Sequence, residues 1–413
     1  MRDPRIAHVA DILVNYSTRL QPGEEVLIQG STAAEPMLLE IYRAALRAGA
    51  HPLLMVQPSE AQEIFMRQAN HDQLKFISPF LNTLLERVDC RIALWAEDNT
   101  KALTNVDPTR QVMRGQAMRQ LGIRNMQRLG DPDDPYRWVG ALFPTNALAQ
   151  DAEMSLSDYA DFVFSACLPS FDDLPEDAKA FVTPGADLTE PLTYWETFSR
   201  WQGQLANYLN AKHELHVIGP NIDLRLGIAG RTWLNADGHV NFPDGEVFTG
   251  PVEDAVDGWV AFTYPAVYAS RQVRDVRLRF ERGRVVEATA GHGEDFLLKT
   301  LDTDEGARCL GEFAIGTNPN ITRFTGNTLF DEKIKGTCHM AVGASIPGTG
   351  GVNESAVHWD MVCDLRKDSR IYADGELFYE NGEFVVLFAA LAETNNTGVG
   401  AGSMGAMFAR KQD

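Results

Sequence analysis

The chain changes rhythm near residue 210, and that change limits what it can fold into. Before it, short apolar runs at Val26–Ile28, Pro52–Val56, Ile92–Trp95 and Trp138–Phe143 alternate with segments whose apolar residues recur at helical spacing. In Ala33–Ala48, Met37, Leu38, Ile41, Ala45 and Leu46 share one face, Ser31 or Thr32 can cap the start, and Gly49 ends it. Leu74–Val88, Asp107–Leu121 and Ala147–Ala166 read as further helices. Strands alternating with helices predict a mostly parallel sheet with helices against it. A long helix over Thr189–Asn210 leads out of this region. Beyond it come short β segments at Leu215–Ile218, Leu224–Ile228, Val247–Thr249, Val260–Tyr264, Val276–Phe280 and Val285–Ala288, with one helix at Gly293–Leu301. Turns such as Asp237-Gly238, Asp244-Gly245, Asp257-Gly258 and Arg282-Gly283 punctuate them, as hairpins require.

A chain of 413 residues is too long for one ordinary core. The expected fold is an α/β domain over residues 1–212 that serves as scaffold, partner surface or cleft wall, followed by an α+β, strand-rich domain over 213–413. The glycine-rich end, residues 394–413, reads as a flexible tail.

The chemistry falls in the second domain. In HWDMVCDL, His358, Asp360, Val362 and Asp364 lie on one face at period two, and Trp359, Met361, Cys363 and Leu365 on the other. An apolar face thus backs a strand that presents an imidazole and a carboxylate side by side. His339 lies 19 residues upstream in TCHMAVGAS, while Glu246 and Glu312 each follow a glycine and open an apolar stretch. Three carboxylates and two imidazoles suit zinc, manganese, cobalt or iron(II). Each element alone has an ordinary structural reading: a core histidine, a turn acid after Asp-Gly, a surface aspartate.

The words around these residues carry a resemblance. PDGEVFTGPVED, GEFAIGTNPNITRFTGNTLFDEKIKGTCHMAVG and GTGGVNESAVHWDMVCDLR, together with the opening RIAHVADILVNYSTRLQPGEEVLIQG, resemble blocks of the thermophilic metallo-aminopeptidases, the leucyl aminopeptidase-like group of aminopeptidase T and S type. The likeness runs over residues 5 to 385. It implies a co-catalytic centre of two divalent ions (zinc, cobalt, manganese or magnesium) on Glu246, Glu312, His339, His358 and Asp360. It further implies a peptide substrate with a free N-terminus and a homodimer. Two such ions lie about 3.5–4 Å apart and share a carboxylate and a water. Glu312 is the favoured bridge, and Glu246, Glu312 or Glu354 the candidates for moving the proton. One departure stands out: family members carry a tyrosine seven residues after the first ligand histidine, where this chain has Ile346, and a nearby glutamate is Gly348.

Composition narrows the partners. Thirty-seven basic against 57 acidic residues give a net charge of −20, which repels nucleic acid and anionic lipid. Five scattered cysteines without a CxxC (Cys90, Cys167, Cys309, Cys338, Cys363) read as reduced thiols of a cytoplasmic protein, and no run is long and apolar enough to span a membrane. QGSTAAE lacks the glycines of a phosphate-cradling loop, so no nucleotide cofactor is expected. Two other readings stay open. His339, His358 and Asp360 would suit a mononuclear iron(II) oxygenase, and the scaffold could serve a non-catalytic binding protein. Residue preference at the peptide N-terminus is not legible.

Overall fold

A computed structural model describes residues 3–388 apart from 131, 132, 135 and 270, so the tail at 394–413 lies outside the described residues. The chain forms two compact units: one of residues up to Leu168 together with Gly238–Phe242, the other of Pro169–Asp237 together with the described residues from Pro243 onward.

The first unit is built on a five-stranded parallel sheet in the order His51–Gln57, Glu25–Ser31, Cys90–Trp95, Arg137–Leu142, Asn241–Phe242. The expected helix over Ala33–Ala48 forms as Glu35–Arg47. The one expected over Leu74–Val88 is two helices, His71–Lys75 and Pro79–Arg87. Pro79 is the reason, because the residue before a proline is driven out of the α region, and Ser78 is extended. A helix over Pro4–Ile12, capped by Asp3, has no counterpart in the periodicity reading.

The second unit holds an eight-stranded antiparallel sheet, a two-stranded hairpin, and a five-stranded antiparallel sheet. The last has the order His358–Asp364, Thr337–Gly343, Leu310–Gly316, Glu246–Thr249, Leu234–Ala236. An α/β unit followed by a strand-rich α+β unit is the fold class expected from the sequence.

The boundary differs from residue 212. Helix Pro191–Asn210 belongs with the second unit, where Trp201 packs edge-on against Phe384 and Phe388 at 5.7 and 6.1 Å. Residues 238–242 return to the first because Asn241–Phe242 extends its parallel ladder. The helix also carries Gln202, fully buried, whose amide donates to Asn235 Oδ1 at 2.6 Å and to the carbonyls of Ala236 and Glu246 at 2.8 and 3.0 Å. Its own oxygen accepts from the Thr317 hydroxyl. One side chain thus satisfies the buried backbone of the Glu246 strand. Gln202→Leu keeps much of the volume and strands those carbonyls, so we expect a loss of about 1–3 kcal/mol in urea unfolding. A change within measurement error would remove Gln202 from this role.

Candidate metal centre

One face of the five-stranded sheet gathers all five expected residues. Its register pairs Gly316 with Glu246, Ala314 with His339, Ala341 with both Glu312 and Asp360, and Gly343 with His358. Paired residues share a face, so Glu246, Glu312, His339, His358 and Asp360 rise from one surface with only glycine and alanine between them. Small neighbours leave open space above the sheet where the polar atoms converge. The opposite face is packing: Trp359 stacks on Tyr268 at 5.3 Å, and Phe313 meets Trp233 at 6.3 Å. Cys338 and Cys363 are buried register partners, in keeping with a packing role.

Glu312 reaches this face through a bulge. Leu310 pairs with Val342, but Glu312 pairs with Ala341, so the register slips by one residue between them. A regular ladder continued from Leu310 would place Glu312 opposite Met340, on the packing face. Gly311 occupies the slip, where a Cβ would sit 2.4 Å from the carbonyl oxygens of both Gly343 and Ala344. Gly245, before Glu246, has φ +134°, and its missing Cβ makes room for Asn318.

The Ala344 carbonyl accepts from His358 Nδ1 at 2.8 Å, which leaves Nε2 to face the carboxylates. That Nε2 lies 3.2 Å from Glu312 Oε2 and 3.7 Å from Asp360 Oδ1. His339 Nε2 lies 3.2 Å from Glu246 Oε2 and 3.5 Å from Glu312 Oε1. The two oxygens of Glu312 therefore address different imidazoles. Ligand atoms form three sets with all members within 4.8 Å: Glu246, Glu312, His339; Glu312, His358, Asp360; and Glu332, His339, Asp360.

Glu332 and its neighbour Lys333 were not among the residues expected from the sequence, where no motif or periodicity marks them. Gly316 brings them in: its bare Cα lets the backbone of Ile334 pass so close that a Cβ would lie 2.3 Å from the Ile334 oxygen. Lys333 is fully buried, with Nζ 3.4 Å from Glu246 Oε1, 3.7 Å from Asp244 Oδ1 and paired with Glu332. Glu354, by contrast, is exposed and belongs to none of the three sets. Ile346 is half-buried, and its carbonyl accepts from the Thr349 hydroxyl at 2.7 Å.

The electrostatics are those of a site short of positive charge. Burial pushes Glu246 well above the usual carboxylate range despite Lys333, and pushes Asp360 up to about 6. Burial alone would lower both imidazoles, but neighbouring carboxylates outweigh it, and His339 rises to about 9 and His358 to about 10. Burial would raise Glu312, yet the two imidazoles beside its oxygens bring it down to about 2. Buried Glu246 Oε2 and both ring nitrogens of His339 make no hydrogen bond. Such orphans carry a penalty that a coordinated cation removes, so the donor set fits divalent metal. Each of the three sets contains one imidazole, whereas a 2-His-1-carboxylate iron centre needs two on one ion.

The model of the thermophilic metalloproteases (M29) matches residues 2–384. The chain belongs to this family. Aminopeptidase T of Thermus thermophilus is 36% identical over 224 residues, 47% of this chain and 54% of that protein, so the alignment spans about half the relative's length. The structure of wild-type AmpT from Thermus thermophilus superposes with a TM-score of 0.77 at 25% identity, covering 93% of this chain and 99% of that one. A 2,5-dihydroxypyridine dioxygenase from Pseudomonas putida KT2440 shares the fold alone, with a TM-score of 0.57 at 14% identity over 94% of this chain and 98% of its own.

The bulge is open to test. In Gly311→Ala the new methyl must displace the backbone that carries Glu312 or the carbonyl that orients His358. We expect manganese or cobalt affinity, measured by calorimetric titration, to fall by about 10–100-fold. Wild-type affinity in a folded variant would show that the bulge does not aim the carboxylate.

Proposed function

We propose that the chain is a metal-dependent aminopeptidase that removes N-terminal residues from peptides, with two divalent ions held by Glu246, Glu312, His339, His358 and Asp360. The observation that carries this reading is the division of the Glu312 carboxylate, Oε1 toward His339 and Oε2 toward His358. A carboxylate aimed this way could serve two ions at once. Glu246 and His339 complete one ligand set, and His358 and Asp360 the other. Bound divalent ions supply Lewis acidity, lowering the pKa of a shared water and polarising the scissile carbonyl. Zinc, cobalt, manganese and magnesium all suit ligand sets of this kind. Family membership and the likeness to Aminopeptidase T support the reaction class.

The protein's own groups then divide the work. His358 is held in one tautomer by the Ala344 carbonyl, so its Nε2 stays a ligand. Lys333 offsets the charge gathered around Glu246. We assign the proton to Glu332, which stands outside both bridged sets yet reaches His339 and Asp360. The water's proton passes to this carboxylate as the water oxygen bonds to the carbonyl carbon. It is then delivered to the departing amine as the C–N bond breaks. With Ile346 in place of a phenol, the chain lacks an oxyanion donor of a kind worth roughly 3–4 kcal/mol at comparable sites. Metal held by the five candidate ligands would supply the positive charge for that oxygen.

Assembly as a homodimer rests on the family resemblance. A cytoplasmic setting fits five buried thiols without a disulfide, and no described helix is long and apolar enough to cross a membrane.

Elemental analysis of the loaded protein should give two equivalents of metal per chain, and a peptide with a free amine should be cleaved while its N-acetylated form is almost inert. One iron per chain would support the oxygenase reading instead, and equal cleavage of both peptides would point to a general amidase. Glu332→Gln should lower kcat by about 10²–10⁴-fold while metal content stays at two equivalents. Loss of a metal in that variant would make Glu332 a ligand, and unchanged kcat would remove it from the reaction.

A further inference from the structure

Beside the metal centre the second unit contains a narrow pocket of ≈ 290 Å³, mouth included. Pro265, Val267, Phe324 and Val362 form its apolar side, Gly326, Thr328 and Asp331 line the rest, and Glu332 and Asp360 stand at the edge it shares with the ligand sets. Val362 follows Asp360 by two on the same strand, so the pocket floor continues the metal-bearing face. Phe324 is a fixed wall: it stacks on Tyr264 at 5.4 Å with the rings 11° from parallel, and the Tyr264 hydroxyl accepts from Arg366 at 2.6 Å.

We propose that this pocket receives the side chain of the substrate's N-terminal residue and selects small, uncharged residues, alanine above leucine above phenylalanine. The proposal rests on the aminopeptidase reading. An α-amine held at the cations sets Cβ only two bonds away, so the first side chain must enter space that borders the ligands. The pocket borders them at Asp360. On the side away from the acids, Pro265, Val267, Phe324 and Val362 give a hydrocarbon group an apolar surface to pack on. Room inside for the centre of a water-sized group is only ≈ 20 Å³, which corresponds to about one such group. A methyl fits without movement, whereas a phenyl requires Phe324 or Val267 to give way. Of the three acids in the lining, Glu332 and Asp360 belong to the candidate ligand sets, and Asp331 is turned inward: one carboxylate oxygen accepts from the Thr325 backbone N–H at 2.7 Å and its hydroxyl at 2.9 Å. It is therefore not presented as a receptor for a lysine or arginine.

The test is kcat/KM of metal-loaded protein on alanyl, leucyl and phenylalanyl p-nitroanilides, for the wild type, Phe324→Ala and Val267→Ala. Wild type should prefer alanyl to phenylalanyl by tenfold or more, since a group of methylene size is worth about 10–200-fold in a pocket. Both enlarging variants should shift that ratio toward the larger residue by about tenfold, with metal content unchanged. Two variants are used so that misfolding of one leaves the other decisive. A wild-type preference for phenylalanyl, or ratios unmoved in a folded variant, would overturn the pocket assignment while leaving the aminopeptidase reading intact. Failure of the wild type on all three substrates and on free peptides, with both metals bound, would sink the aminopeptidase reading and this proposal with it.

Discussion

Much of the second unit follows from one costly decision, the burial of several carboxylates on a sheet face. Glu246 and Glu312 are each 5% exposed, and Lys333 is completely enclosed. Isolated charges in such surroundings cost several kcal/mol each, and proteins hold them only with counter-charges or metal. The pulls on the protonation equilibria record this conflict: burial draws the histidines toward neutrality and the acids beside them draw them back, while burial draws Glu246 toward neutrality. One internal ammonium does not balance the set. A divalent cation does, which ties metal binding to the stability of the surrounding sheet as well as to catalysis.

Placing the acids required backbone in unusual places, and glycine supplies it. Gly311 permits the register slip that turns Glu312 outward, and Gly316 lets the segment carrying Glu332 and Lys333 cross the sheet face. Ala314, Ala341 and Gly343 keep the ground between the ligands low. Below, Gln202 ties the Glu246 strand to the long aromatic helix through its buried carbonyls. The candidate ligands thus stand on a hydrogen-bonded ladder, as coordination within tight distance limits would require.

The dioxygenase that shares this fold at 14% identity shows that the architecture does not choose the chemistry. Ligand grouping discriminates better. The two histidines here fall in separate candidate sets that share Glu312, whereas a 2-His-1-carboxylate iron centre needs both on one ion. At Ile346 the loop backbone is held by the Thr349 hydroxyl, which donates to its carbonyl at 2.7 Å.

The sequence by itself determined the two rhythms, hence a parallel α/β unit followed by a strand-rich one, and the alternation that puts His358 and Asp360 opposite Trp359 and Met361. These are local periodicities, set by backbone geometry within a few residues. It also contained the identity of all five candidate ligands, because their surrounding words resemble a known family. Tertiary structure decided the rest. Period-two counting alone would put Leu310 and Glu312 on the same face, and only pairing with the neighbouring strand creates the slip that separates them. Pro79 broke a helix that apolar spacing alone had drawn through it. Helix Pro191–Asn210 follows the first unit in sequence but packs in the second, because its aromatic face finds Phe384 and Phe388 nearly two hundred residues later. Glu332 was absent from the expected set for the same reason. Its burial depends on a chain crossing over Gly316, a contact between distant segments that no local pattern encodes.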